Sequence, residues 1–237
     1  MDNPWEELIC ESGEWLLARD REAIRGFNSK QANSKHRICL ESIPEPFIGN
    51  PRTARIVFLG LNPGHSEKDI EEHRGEAFRN AILRNLRHET QEYPFYPLNP
   101  KFRKTGAGQW WTARLRYLKE ACRLEECELS QRVMAIEWFP YHSEKSGLPG
   151  KQICASQDYS RFLAKQMLQR EDVQVLGMRA RKRWLPWGSE FNDVPFVNSV
   201  QNPAITRNNV GESLFERILK LLQQGAEQYS TGATVCI

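Results

Sequence analysis

The sequence predicts a three-layer α/β/α domain built on a central, mainly parallel four-stranded sheet, and three observations carry that expectation. Short, continuous apolar runs recur along the chain instead of alternating ones, as strands covered on both faces require. Segments with apolar residues at three- and four-residue spacing separate them, as the helices of β-α-β crossovers do. No internal repeat or linker divides the 237 residues, so one domain is expected over 1–237, with a helical segment at 4–26, a core over 55–224 and a tail over 226–237 that frays.

In order, Pro4 opens a segment with Trp5, Leu8, Ile9, Trp15 and Leu16 on roughly one side, which predicts a helix over 4–26. Residues 28–52 are rich in turn formers and read as a connection. The run at 55–60 is the first strand, followed by a helix in which Phe78, Ile82 and Leu86 recur. Prolines at 94, 97 and 100 exclude regular structure and make an aromatic loop. Trp111, Leu115, Leu118 and Cys122 mark the next helix and read as core. Val133–Phe139 is the second strand, interrupted by Glu137 and stopped by Pro140. A helix around 156–169, a strand at 173–177, a strand at 194–198 and a helix from about 212 to 224 complete the domain.

Composition is that of an ordinary globular protein, 40% hydrophobic and 27% charged, and a net charge of only +3 leaves any polyanion-binding argument to local clusters. Six cysteines show no CxxC and no zinc spacing, so separate reduced thiols are expected. The first residues include Asp2, Glu6 and Glu7, so no secretory leader is expected, and no apolar run approaches the ~20 residues of a membrane helix. A cytoplasmic monomer without membrane contact is the expectation.

The most informative stretch is Arg55-Ile-Val-Phe-Leu-Gly-Leu-Asn62-Pro-Gly-His65. A buried strand runs directly into a turn in which Gly60 and Gly64 allow angles a Cβ would forbid and Pro63 fixes a dihedral. Asn62 is thereby held just beyond the carboxyl end of a strand, where open α/β sheets place their ligands. A phosphate-binding enzyme is disfavoured, because the turn lacks both the phosphate-loop Lys and Gly-x-Gly-x-x-Gly. About 140 residues later a second strand ends in Asn202-Pro-Ala-Ile-Thr-Arg207. This pair resembles the paired motifs of the uracil-DNA glycosylase superfamily. The first looks like the Gly-x-Asn-Pro-Gly motif of its mismatch-specific uracil/thymine branch, the second like its closing His/Asn-Pro-Ser motif. The order of elements over 55–220 is similar as well. Ala204 stands where the family usually has Ser, and Arg207 comes one residue early.

The resemblance implies a uracil-DNA glycosylase-like fold and a monofunctional DNA N-glycosylase. Such an enzyme flips a damaged or modified base and hydrolyses its N-glycosidic bond, leaving an abasic site. Asn62 would position the attacking water, and Asn202 would contact the flipped nucleotide or stabilise the leaving base. Phe95 or Tyr96 is the candidate stacking platform, and His65 and His142, each after a strand-end Pro motif, are candidates for lining the pocket. Ile205, with Arg207 beside it, is the candidate wedge. Arg179, Arg181, Lys182 and Arg183, with Lys101, Arg103 and Lys104, are candidate phosphate contacts. Uracil-specific relatives read the base with an amide where this chain has Glu137. An ionised carboxylate only accepts hydrogen bonds, so it would repel O4 of uracil and welcome the amine of a cytosine-like base. Ordinary cytosine would be a ruinous substrate, whereas a modified one would not. The residues suit bacterial antiviral glycosylases that excise glucosylated hydroxymethylcytosine from phage DNA and repair enzymes alike. No metal, no iron–sulfur cluster and no other cofactor is expected, and no lysine is assignable to a lyase step. The rival readings are a uracil/thymine-mismatch repair glycosylase and a non-catalytic DNA-binding module of the same fold.

Overall fold

The computed structural model describes residues 1–31 and 34–224, so the tail expected to fray over 226–237, with Cys236, lies outside the described residues. In chain order, a 3-10 turn at Pro4–Glu7 leads into strands β1 (Cys10–Glu11) and β2 (Glu14–Trp15), helix α1 (Arg21–Ser29), and strands β3 (Ile38–Cys39) and β4 (Phe47–Ile48). Strand β5 (Ile56–Leu59) precedes helices α2 (Glu67–Arg74), α3 (Glu76–Leu86), α4 (Gly106–Cys122) and α5 (Glu126–Arg132). Then come β6 (Val133–Ile136), β7 (His142–Ser143), α6 (Gln157–Leu168), β8 (Gln174–Gly177), α7 (Arg181–Trp184), α8 (Arg207–Val210) and α9 (Glu212–Gln223).

The chain is a mixed α/β protein around a four-stranded sheet of order β4-β6-β5-β8, in which β6, β5 and β8 run parallel and β4 antiparallel. Every residue of β5 and β6 is buried. Each large apolar side chain so covered contributes on the order of 1.5–3 kcal/mol, which only an interior strand can collect. Register shows that both faces are covered. Phe58 pairs with Ala135, and its ring lies 5.8 Å from Trp111 of α4. The opposite face carries Ile136 and its partner Phe47, whose ring lies 6.0 Å from Tyr159 of α6. No helix among the described residues is long and apolar enough to cross a membrane.

Three parallel strands fall where the apolar runs predict them, and three expectations are corrected. Residues 4–26 are not one helix, because Ser12 and Gly13 both adopt positive φ (52° and 84°) and turn the chain into the β1–β2 hairpin. The fourth strand of the sheet is β4, inside the expected connection, and not 194–198. That later run makes only an isolated parallel bridge, Gly177 to Phe196, since Pro195 has no N–H to donate and Asn198 N–H turns away to Asn209 O, 2.9 Å. The helical stretch after Asn62 breaks at Gly75 into α2 and α3. The N-terminal segment packs into the same core, Trp5 against Tyr141 at 6.0 Å, with the Tyr141 hydroxyl donating to buried Asp20, 2.7 Å.

Candidate active site

The carboxyl ends of β5, β6 and β8 open onto a cavity of about 400 Å³. The loop after β5 contributes Asn62 and His65, the end of β6 Glu137, β7 His142 and Ser143, and the segment after β8 Arg179. The first turns of α4 add Trp110 and Trp111, and α3 adds Phe78. Parallel strands put these groups at one end of the sheet, and a parallel Gly64–Ser143 bridge ties the Asn62 loop to β7.

Asn62 is fixed by its amide nitrogen. Nδ2 donates to Pro63 O at 2.9 Å, Ser143 Oγ at 3.0 Å and, more weakly, Tyr141 O at 3.4 Å. Two of these partners are carbonyls, which can only accept, so the nitrogen must face them and Oδ1 is left to the cavity. Gly60 has its reason in space and not in dihedral angle. Neither it nor Gly64 has positive φ, but a Cβ on Gly60 would collide with the Glu137 carboxyl, whereas Gly64 faces open space.

The Glu137 carboxyl lies against that glycine. Its Oε2 is buried without a hydrogen-bond partner, and burial pushes its pKa up to about 8, against the pull of Arg179. The ionised acceptor expected from sequence is therefore corrected. At neutral pH this group is mainly a neutral acid, because a lone buried carboxylate loses its hydration without recompense.

Behind it sits a buried charge network. His142 offers Nδ1 to Gly64 O at 2.7 Å and Nε2 to Ile43 O at 2.9 Å, with Glu45 Oε2 at 3.3 Å. Both ring nitrogens face oxygens that accept, so the ring is an imidazolium. Burial opposes that charge, yet the Glu45 hydrogen bond and charge raise His142 to about 9. Glu45, also buried, is in turn held below its ordinary range by His142 and accepts a hydrogen bond from Tyr96. Burial and the neighbouring imidazolium depress His73 to about 3, and its Nδ1 accepts from Ile43 N–H, 2.9 Å. Glu45, His73 and His142 have ligand atoms within 4.8 Å of one another, the spacing of a metal site. Their nitrogens are nevertheless committed: His142 to carbonyls, His73 Nδ1 to an N–H, which leaves its Nε2 carrying the proton.

Other expected site residues fare differently. His65 lines the cavity and also a neighbouring cleft of about 660 Å³. There Cys39, although burial alone would raise its thiol, is brought down to about 7 chiefly by His65. Phe95 and Tyr96 are not the stacking platform: they are 0% and 1% exposed, Phe95 packing edge-on against Trp111 at 4.8 Å. Trp110, half-buried on the cavity wall, is the available ring. Ile205 is 0% exposed and its N–H bonds Arg114 O at 2.9 Å, so in this conformation it is core and not a wedge. Asn202 leaves the same end of the sheet but lines a separate surface groove with Tyr117 and Arg207, not the cavity of Asn62.

The expected cations divide by partner. Arg103 forms a two-pronged pair with Glu126 (2.5 and 2.6 Å), Arg207 pairs with Glu212 and Glu216, and Arg183 donates to the carbonyls of Leu148 and Pro149. These three brace the protein. Arg179 lies on the cavity wall, its guanidinium 5.8 Å from the Trp110 ring centre, while Arg114 approaches the same ring at 5.0 Å. Lys101, Lys104, Arg181 and Lys182 stay exposed, on the segments leading into α4 and out of β8.

Sequence reading missed Trp110, Arg114, Glu45 and Ser143, and the histidine spacings did not show that His73 and His142 meet. Trp110 and Arg114 stand four apart on a helix, a spacing that could have joined them. Glu45 lies between two prolines, an extended segment able to carry a carboxylate inward. Comparison with family models, curated proteins and solved structures finds no match to this chain, so the geometry of the site carries the functional reading.

Proposed function

We propose that this chain is a monofunctional DNA N-glycosylase that takes an everted, damaged or modified base into the 400 Å³ cavity and hydrolyses its N-glycosidic bond. The observation that carries the reading is Asn62: its nitrogen is locked by backbone carbonyls and Ser143, and the residue lines a cavity walled by aromatic rings, with its Oδ1 not engaged by those bonds. An oxygen so fixed can accept from one water and aim it, which is the task left when a glycosidic bond cleaves through an oxocarbenium-like state. The water oxygen bonds to C1′, the electron pair of the C1′–N bond leaves with the base, and the water's proton passes through solvent to the departing base. Trp110 offers a face on which a base can stack, and Arg114 and Arg179 on that ring supply positive charge beside it. Lys101, Lys104, Arg181 and Lys182, exposed on the segments that adjoin the lining residues Gly106 and Arg179, would serve as contacts for the neighbouring phosphates.

The test is release of a base from oligonucleotides bearing one modified or mismatched site, read as strand cleavage on heating in alkali. Cleavage that Asn62→Ala abolishes while DNA binding persists is the expected result. Salt-sensitive binding with no abasic product from any base would make the chain a binding module instead.

A further inference from the structure

A second cluster of reactive side chains lies beside the cavity and takes no part in the proposed hydrolysis. The cleft of about 660 Å³ that shares His65 and His73 with the cavity is walled by the β1–β2 hairpin, β3, α2 and α3. Cys39 opens onto it from β3, half-buried, its Sγ 3.8 Å from Ser42 Oγ. Strand pairing sets Cys39 opposite His142 of β7, and the His65 ring stands edge-on to His142, 6.5 Å between centres. The thiol therefore sits beside one imidazolium and a second imidazole. Two nitrogens here are uncommitted. His65 Nδ1 is buried without a hydrogen-bond partner, and His73, 4% exposed, has no acceptor for its Nε2–H among the described residues. A thiol in such surroundings gives up its proton readily, and the thiolate is the nucleophile. Burial opposes this, yet His65 brings Cys39 down to about 7, whereas burial pushes Cys122 and Cys154 up. The cleft also favours one sign of charge. Its carboxylates are paired, Glu14 with Arg25, Glu144 with Lys35 and Glu41 with Arg74, while Arg37 and Arg79 meet no carboxylate among the described residues.

We propose that Cys39 is a covalent modification site, at which a small anionic disulfide enters the cleft and S-thiolates the chain. The Cys39 thiolate bonds to one sulfur of the disulfide, the S–S bond breaks, and the departing thiolate leaves with the electron pair and takes a proton from solvent. Cys39 is oxidised and the released half of the disulfide is reduced, so no further oxidant is needed. The inference goes beyond the glycosylase reading and does not depend on it.

The experiment incubates the full chain with glutathione disulfide, which is anionic, hydroxyethyl disulfide, which is neutral, and cystamine, which is cationic. The adduct at each cysteine is followed by peptide mass spectrometry. With glutathione disulfide, Cys39 is expected to react at least ~3-fold faster than the exposed thiol of Cys10. Measured against the urea-unfolded chain, Cys39 should also favour glutathione disulfide over cystamine at least ~3-fold. His65→Gln should slow Cys39 roughly 3–10-fold with every disulfide and leave Cys10 unchanged. Arg37→Gln with Arg79→Gln should erase the charge preference and keep the rate with hydroxyethyl disulfide. Thermal unfolding checks that both variants fold. Reaction at Cys39 no faster than at Cys10, or unchanged in His65→Gln, overturns the site. Reaction at Cys39 that favours the cationic disulfide, or neither, overturns the anionic class of ligand.

Discussion

Two Asn-Pro turns, at 62–63 and 202–203, leave the same end of the sheet and have different surroundings. The Asn62 side chain donates to three acceptors, one of them Ser143 from a strand 81 residues away, and lines the cavity at the strand ends. Asn202 is exposed: its backbone N–H bonds weakly to Ser199 Oγ at 3.4 Å, and its side chain lies on an open groove. The same dipeptide carries a fixed side chain on a cavity wall in one place and is a surface turn in the other. What separates them is packing: the Asn62 loop is backed by the Glu45–His142 pair and by Ser143, whereas a local turn of Asn209 side-chain bonds shapes the Asn202 loop.

The contrast breaks most severely if the charge pair behind Asn62 is removed. His142→Ala leaves Glu45 buried and uncompensated and is expected to cost about 3–5 kcal/mol in denaturant unfolding. The pair also predicts a pH profile. The folded pKa of His142, about 9, lies above its ordinary 6.5, so its contribution is complete below 6.5 and is lost as pH rises through 9. Glu45, held low, contributes above its ordinary carboxyl range and loses that contribution as pH falls. Glu137 runs the other way from an ordinary paired acid: raised from 4.5 to about 8, it weakens the fold as pH climbs across that interval, and Glu137→Gln should flatten that slope.

Next in size is the comparison of the two asparagines themselves. Asn62→Ala is expected to slow single-turnover base release roughly 10²–10³-fold, the scale of losing one preorganised polar group. Asn202→Ala should stay within about 3-fold, as for a surface position outside the site. Asn62→Asp sharpens the point: a carboxylate oxygen would face Pro63 O and Tyr141 O, so this variant should be slow as well and not improved. An Asn202→Ala defect equal to that of Asn62→Ala would restore the paired-motif picture.

Smaller again is the glycine pair. Gly60→Ala must displace the Glu137 carboxyl and should cost about 1–3 kcal/mol, whereas Gly64→Ala meets no neighbour and should stay within about 0.5 kcal/mol. Smallest is the change at the cations. Arg181→Ala with Lys182→Ala should lower the salt dependence of DNA binding by about two phosphate contacts, while Arg207→Ala, its charge already met by Glu212 and Glu216, should leave that slope unchanged.

Legibility in the sequence follows the range of the interactions. The cores of β5, β6 and β8 and the helices between them were readable because continuous apolar runs and four-residue spacing are local signals. The Asn62 turn and Glu137 in the cavity were readable for the same reason, each standing at the end of such a run. β4 was not: two residues between Pro46 and Gly49 carry no periodicity, and only pairing with β6 makes them a strand. Nor was the fate of Ile205, since an apolar residue in a loop reads equally as an exposed wedge or a buried anchor until its neighbours are known.

By itself, then, the sequence determined where the chain must be buried and which polar groups ride on the ends of buried strands, because burial is dictated by the residue's own chemistry and its nearest neighbours. The tertiary structure alone decided which of those groups meet. Arg103 finds Glu126 and Arg183 finds the carbonyls of the 148–149 loop, so each meets an acceptor of the protein itself. Glu45 takes the hydrogen bond of His142, and burial of Glu137 outweighs the pull of Arg179 and raises its pKa to about 8. Charge state and hydrogen-bonding capacity depend on partners tens of residues away, and distance along the chain does not encode them.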